Sequence, residues 1–151
     1  MSYGTVIVGY DGSEDADRAV VAAADQVASD GTVHVVTAYR PESDAQLAKH
    51  MQELPEEFRY TYDPAAAELE RQRPVLDRLH KRGIDAEGHV VPDDPASAII
   101  DVAERTSADL VVVGSRGLSR VEQFLRGSVS IRIAHHAPAS VLIVHGPPEE
   151  D

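Results

Sequence analysis

The chain has 151 residues, of which 26 are acidic, 14 basic and none cysteine, giving a formal net charge of -12 at pH 7. A surface of that sign repels a nucleic-acid backbone, and a chain without Cys has no disulfides, thiolate nucleophiles, iron–sulfur clusters or thiolate zinc sites. The length suits one domain spanning residues 1–151, and no apolar run approaches the roughly 20 residues of a membrane span.

The opening MSYGTVIVGYDGS carries no basic region and passes straight into a strand pattern, so no signal peptide and a cytoplasmic location are expected. Thr5 to Gly9 reads as a buried strand. Tyr10-Asp11-Gly12-Ser13 follows, then a helix from about Glu14 to Ser29 with Ala19, Val20, Ala23, Ala24 and Val27 on the helical repeat. Ser13 and the acids Glu14 and Asp15 suit its start. Asp30-Gly31 is expected to end it, and Thr32 to Ala38 reads as a second buried strand, completing a βαβ unit with a right-handed crossover.

Residues 39–64 read as a variable insertion broken by Pro41, Pro55 and Pro64, with a short helix over Asp44 to Glu53. Phe58, Tyr60 and Tyr62 are expected to form a flap packed on the core. A helix over Ala65 to Arg82 places Leu69, Val75, Leu76 and Leu79 on one side; Pro74 is expected to kink it and Gly83 to stop it. Ile84 to Val91 reads as a strand at a sheet edge, where Asp85 and Glu87 stay wet. Pro92-Asp93-Asp94-Pro95 then turns into a helix over Ala96 to Thr106.

Leu110 to Val113 is an unbroken, β-branched apolar run, the pattern of a strand buried on both faces. Gly114-Ser115-Arg116-Gly117 ends it, and nine residues later Gly127-Ser128 opens a segment with helical spacing at Val129, Ile133 and Ala137. Glycines let backbone amides approach a ligand that a Cβ would block, Ser128 sits where it can cap a helix, and a helix N-terminus attracts phosphate. Ser140 to Val144 reads as a fifth strand and residues 145–151 as an acidic tail. Strands alternating with helices in this way make a parallel α/β domain.

The spacing G-x2-G-x9-G-S lacks the Walker lysine and is not the dinucleotide G-x-G-x-x-G. It resembles the ATP-binding signature of the universal stress protein family. RIAHHAPASVLIV is similar to that family's closing helix and strand, and VIVGYDGSEDADRAV to its usual start, so the resemblance covers nearly the whole chain. It implies a Rossmann-like fold of the adenine nucleotide alpha hydrolase-like kind, a five-stranded parallel sheet of order 3-2-1-4-5 with helices on both faces. Ligands then bind between the first and fourth strands, where the order reverses.

Carried over by position, the resemblance implies that Gly114, Gly117, Gly127, Ser128 and Val129 cradle ribose and phosphates, with Ser115 and Arg116 in the same loop. Asp11, Gly12 and Ser13, beside Tyr10, would line the nucleoside side, and Ala38 and Val113 would contact adenine. Asp11 reads equally as a turn residue or cap. The implied ligand is ATP, with Mg held through its phosphates and no protein metal site. The implied function is a nucleotide-dependent sensor or regulator in stress response, working as a homodimer paired through Ser140 to Val144, an apolar edge that wants cover. The alternatives are an interaction module that binds no nucleotide and a slow ATPase, since the sequence shows no general base or catalytic triad.

The chain departs from the family at Asp93, where Gly is usual and where Asp tolerates a left-handed backbone, and at Arg120 and Arg126. Those arginines, with Arg116 and Arg132, read as a positive spot for phosphates or, preferred here, as solvated positions on a helix face, and the adjacent His135 and His136 as surface residues pointing apart. Only Lys49 and Lys81 are lysines, which with the acidity points to a halophilic archaeon, whose salt screens self-repulsion over a Debye length of about 3 Å at 1 M. One KCl series checks both the salt and the pairing expectations: the melting temperature rises toward molar salt while light scattering returns the mass of two chains. A flat melting temperature removes the first expectation, and a single-chain mass the second.

Overall fold

Strands with apolar side chains on both faces need cover on both faces, and the chain supplies it by alternating them with amphipathic helices. The computed structural model describes residues 2–41, 43–58, 63–115 and 128–146. In chain order the elements are β1 (Tyr3–Gly9), α1 (Glu14–Gln26), β2 (Val27–Ala38), α2 (Asp44–Glu53), a single 3-10 turn (Glu56–Phe58), α3 (Pro64–Lys81), β3 (Asp85–Val91), α4 (Pro95–Thr106), β4 (Leu110–Gly114), α5 (Ser128–His136) and β5 (Ser140–Val144). The sheet order is β3-β2-β1-β4-β5 with every pairing parallel, as the sequence implied.

One core lies under α1 and α3 and contains Val6, Val8, Val33, Val35, Val75, Leu79 and Val112. The other lies under α4 and α5 and contains Ile7, Val36, Ile99, Val102, Val111, Val113 and Ile133. Successive residues of β1, β2 and β4 thus serve opposite cores, as the two-residue period of a strand requires. Full burial of each such aliphatic side chain contributes about 1.5–3 kcal/mol, against about 1 kcal/mol for a helix cap, so the two faces hold the fold.

Three local expectations are corrected. Helix α1 stops at Gln26, not Ser29, and β2 begins at Val27, not Thr32, because Val27 is already extended and pairs with Tyr3. The register slips between Tyr3 and Thr5, so that Asp30-Gly31 lies within an irregular strand and does not end a helix. A Cβ at Gly31 would stand 2.6 Å from the Gly4 carbonyl oxygen, which is why a glycine fits there. Asp93 is not left-handed: among the described residues positive φ falls at Gly12, Gly83 and Ser107. The turn is held by the Asp93 N–H donating to the Val91 carbonyl at 2.9 Å and the Asp94 N–H donating to Asp93 Oδ1 at 2.8 Å. Arg132 is half exposed but not merely solvated, since its guanidinium donates to Asp94 Oδ1 at 2.9 Å and to Ser97 Oγ at 3.2 Å, tying α5 to the start of α4.

Other expectations stand. Helix α3 covers Pro64–Lys81 with Pro74 inside it and ends before Gly83, β3 is an edge strand, and β5 spans Ser140–Val144. No described helix is long and apolar enough to cross a membrane. Tyr60 and Tyr62 of the expected flap, Arg120, Arg126 and residues 147–151 lie outside the described residues.

Asp94 caps α4 by accepting from the Ser97 N–H at 3.1 Å. Burial works to raise its pKa, but hydrogen bonds from Ser97 and Arg132 and the charge of Arg132 prevail and hold it at about 2, below its ordinary 3.8. A depressed carboxyl pKa contributes stability that is fully present above the unfolded value and is lost as pH falls through the folded one. Asp94→Ala is therefore expected to cost about 1 kcal/mol at pH 7. In chemical denaturation at stepped pH the deficit shrinks between about pH 4 and pH 2; a deficit unchanged across that window would contradict the ionic role.

Candidate functional site at the carboxyl ends of β1 and β4

Strand β1 leaves the sheet at Gly9, yet the next residue stays tied to β2. The Tyr10 N–H donates to the Val36 carbonyl at 2.9 Å, and Thr37 Oγ1 donates to the Tyr10 carbonyl at 2.9 Å. Thr37 is in turn held by Gln72, a fully buried side chain of α3. The two N–H bonds of Gln72 Nε2 are shared among three acceptors, Thr37 Oγ1 at 2.7 Å, the His89 carbonyl at 2.9 Å and the Val35 carbonyl at 3.2 Å. A Cβ at Gly88 would collide with Gln72 Oε1, so the glycine of β3 makes the room that this amide fills. Burying an unbonded amide N–H costs several kcal/mol, and here those groups fix the loop after β1, while the amide oxygen Oε1 is buried with no partner among the described residues.

That loop turns through Gly12 at φ 83°, where a Cβ would meet no atom within 4 Å. Gly12 is thus needed for its backbone conformation and not for space. Asp11 Oδ1 accepts from the Ser13 N–H at 2.9 Å, and Ser13 Oγ accepts from the Ala16 N–H at 3.1 Å. Ser13, not Asp11, is the cap of α1, and Asp11 makes a side-chain turn with one oxygen. Its other oxygen, Oδ2, is buried with no hydrogen-bond partner among the described residues. Tyr10, Asp11, Gly12 and Thr37 line a cleft of about 260 Å³ with Glu68 and Arg71 of α3, which pair with each other at 2.8 Å. Burial, with the charge of Asp17, pushes the Tyr10 hydroxyl pKa up, keeping it a neutral donor.

The neighbouring strand end is built differently. A Cβ at Gly114 would come within 3.0 Å of Asp15 Cβ and of its carbonyl oxygen, so Gly114 is required by the packing of α1. The Ser115 N–H donates to the Val144 carbonyl at 3.0 Å and is spent on β5. Ser128 opens α5, while Val129 and Ala38 pack half-buried on the core under α4 and α5. Val113 is fully buried in that core and presents no open surface. Arg116, Gly117 and Gly127 lie outside the described residues.

The structure therefore gathers Tyr10, Asp11 and Gly12 around one cleft between the loop after β1, the end of β2 and α3, and adds Thr37, Glu68 and Arg71 to its lining, with Gln72 behind Thr37, all of which sequence reasoning missed. Gln72 left a readable trace, for it falls three residues after Leu69 and three before Val75, on the apolar stripe of α3. His135 and His136 are both exposed, as expected, with ring centres 6.4 Å apart.

The family model described as universal stress protein family matches residues 2–145. A universal stress protein of Mycobacterium tuberculosis is 34% identical over 146 residues, covering 95% of this chain and 97% of that protein. The stress response protein NhaX of Bacillus subtilis is 28% identical over 166 residues, covering 92% of this chain and 96% of that protein. Among solved structures, a universal stress protein in complex with cAMP is 33% identical with a TM-score of 0.66, over 96% of this chain and 98% of that one. The universal stress protein UspA of Lactobacillus plantarum, 20% identical with a TM-score of 0.68 over 95% and 99% of the two chains, shares the fold.

Proposed function

The chain belongs to the universal stress protein family, and on that premise we propose that it binds ATP and acts as a nucleotide-dependent sensor or regulator in the stress response. One observation carries the reading: Asp11 lines the cleft, and its Oδ2 is buried with no hydrogen-bond partner among the described residues. A buried carboxylate oxygen without a donor costs about 1–3 kcal/mol or more, and a ligand N–H placed against it recovers that energy. The exocyclic amine of adenine is such a donor. A relative at 33% identity is described in complex with cAMP, which carries the same base.

The cleft supports a division of the ligand. At about 260 Å³ it falls below the roughly 300 Å³ of pockets that enclose a whole drug-sized ligand, so it takes the nucleoside end and leaves the phosphates outside. The phosphates then run toward the β4 loop, with Arg116, Gly117 and Gly127, and toward Ser128 and Val129 at the N-terminus of α5, where the helix dipole favours negative charge. Mg enters with the ATP phosphates and not through protein ligands. The edge of the sheet at β5, with Val141 and Ile143 half-buried, supports a homodimer paired through Ser140–Val144.

Calorimetric titration with Mg-ATP in molar KCl tests the reading. Micromolar binding is expected for the wild type, and a loss of at least tenfold for Asp11→Ala, because a hydrogen bond to a charged group contributes about 1.5–3 kcal/mol. Gly127→Asp, which sets a negative charge against the phosphates, weakens it further. A folded wild type that binds no nucleotide would overturn the reading, and a folded Asp11→Ala with undiminished affinity would remove Asp11 from the site.

A further inference from the structure

On the other side of the sheet from Gln72 lies a group of side chains that the nucleotide reading does not use. His34 alternates along β2 with Val33 and Val35, which face the α1 and α3 core, so its ring projects to the α4 side. Glu87 of β3 is its register partner, and His89, two residues on, points to the same face. His34 Nδ1 and His89 Nε2 lie 2.9 Å apart, and His34 Nδ1 lies 3.6 Å from Glu87 Oε2. One donor atom from each of the three falls within 4.8 Å of the others. His34 is buried, His89 half-buried and Glu87 exposed, so the group opens outward at the edge strand.

We propose that His34, His89 and Glu87 form a binding site for a divalent transition-metal ion, zinc in the first instance, on the β2–β3 edge. The donor set is the two-imidazole, one-carboxylate combination that suits zinc and its neighbours and disfavours magnesium and calcium, which take oxygen. Donors around a tetrahedral zinc with bonds of about 2.0–2.1 Å lie about 3.3 Å from one another, which falls between the two measured separations. The rings need to part by a few tenths of an ångström, and the exposed carboxylate of Glu87, free to swing, to close on both rings from within 4.8 Å.

Without an ion, one ring must donate to the other across the 2.9 Å contact. That hydrogen bond holds both nitrogens aimed at a common point in advance. When the ion enters, the shared proton moves to the outer nitrogen of the donating ring and both inner lone pairs face the metal, so neither ring changes charge. Burial lowers the pKa of both histidines, for His89 with His34 adding to the effect, which keeps the lone pairs available. The carboxylates of Glu87 and Asp85 supply negative charge, Asp85 being held on the same face by Thr32 Oγ1 at 3.1 Å. Arg105 opposes with its positive charge on His89, but it is paired to Asp101 at 2.8 Å. Three protein donors leave a fourth position facing solvent, where the site is open.

Tag-free protein without nucleotide is titrated with zinc chloride by calorimetry, beside the variants His89→Ala, Glu87→Gln and His135→Ala/His136→Ala. Wild type is expected to take up one equivalent at micromolar or tighter affinity and to melt at a higher temperature when loaded. His89→Ala loses at least tenfold in affinity and loses the thermal shift, Glu87→Gln loses several-fold, and the His135 and His136 double variant behaves as wild type. Magnesium chloride gives no matching isotherm. Glu87 is exposed, so Glu87→Gln keeps the test open if His89→Ala fails to fold. Zinc uptake undiminished in Glu87→Gln, uptake lost in the His135 and His136 variant, or no uptake by wild type would each overturn the proposal.

Discussion

Strands β1 and β4 have no face to spare. Ile7 and Val111 serve one core while Val6, Val8 and Val112 serve the other, and all five are buried to 3% exposure or less. A polar side chain within either strand would have to shed water without a partner, so the polar chemistry is displaced to the loops that leave their carboxyl ends. The rest follows from that constraint. Helices α1 and α3 cover one side, α4 and α5 the other, and the strand order reverses between β1 and β4.

Gln72 is the most deeply buried polar side chain among the described residues, and its N–H groups position the loop. Its amide spans the β2 backbone, the β3 backbone and Thr37, and Thr37 passes the restraint to the Tyr10 carbonyl. Asp11 is thereby placed by groups on three elements before any ligand arrives. Asp11 Oδ2, buried with no hydrogen-bond partner among the described residues, cannot relax toward water without moving that frame of groups, which is why the proposed function assigns it to a ligand donor. An acidic protein that recognises a polyanion has to separate the two charges. The proposed arrangement does so by setting Asp11 at the base end and a helix N-terminus toward the phosphates.

Most element ends were legible in the sequence because they follow from buried runs and breakers, as at Leu110 to Val113 and Gly83, whereas the sheet order came only from the family resemblance. The α1–β2 junction was not, since Asp30-Gly31 has the composition of a helix stop and only the pairing of Tyr3 with Val27 shows it to be strand. The cleft was half legible: Tyr10 to Ser13 sit together in the chain, whereas Glu68, Arg71 and Gln72 meet them only through the packing of α3. Gly114 was read as ligand-facing from its motif, but the contact that demands it is with Asp15 of α1, a distant part of the chain. For the same reason His34 and His89, 55 residues apart, carried no motif, while the adjacent His135 and His136 drew notice and lie exposed.

The central claim is that the nucleoside end of ATP enters the cleft at the end of β1 and its phosphates reach the start of α5. Titrating isotope-labelled protein with Mg-ATP and following backbone amides by NMR tests it most directly. The account predicts that the largest shifts fall at Asp11, Gly12, Ser13, Ser128 and Val129, with β3 and the outer face of α4 unmoved. Shifts confined to other surfaces, with the amides of Asp11 to Ser13 unmoved at saturation, would contradict it.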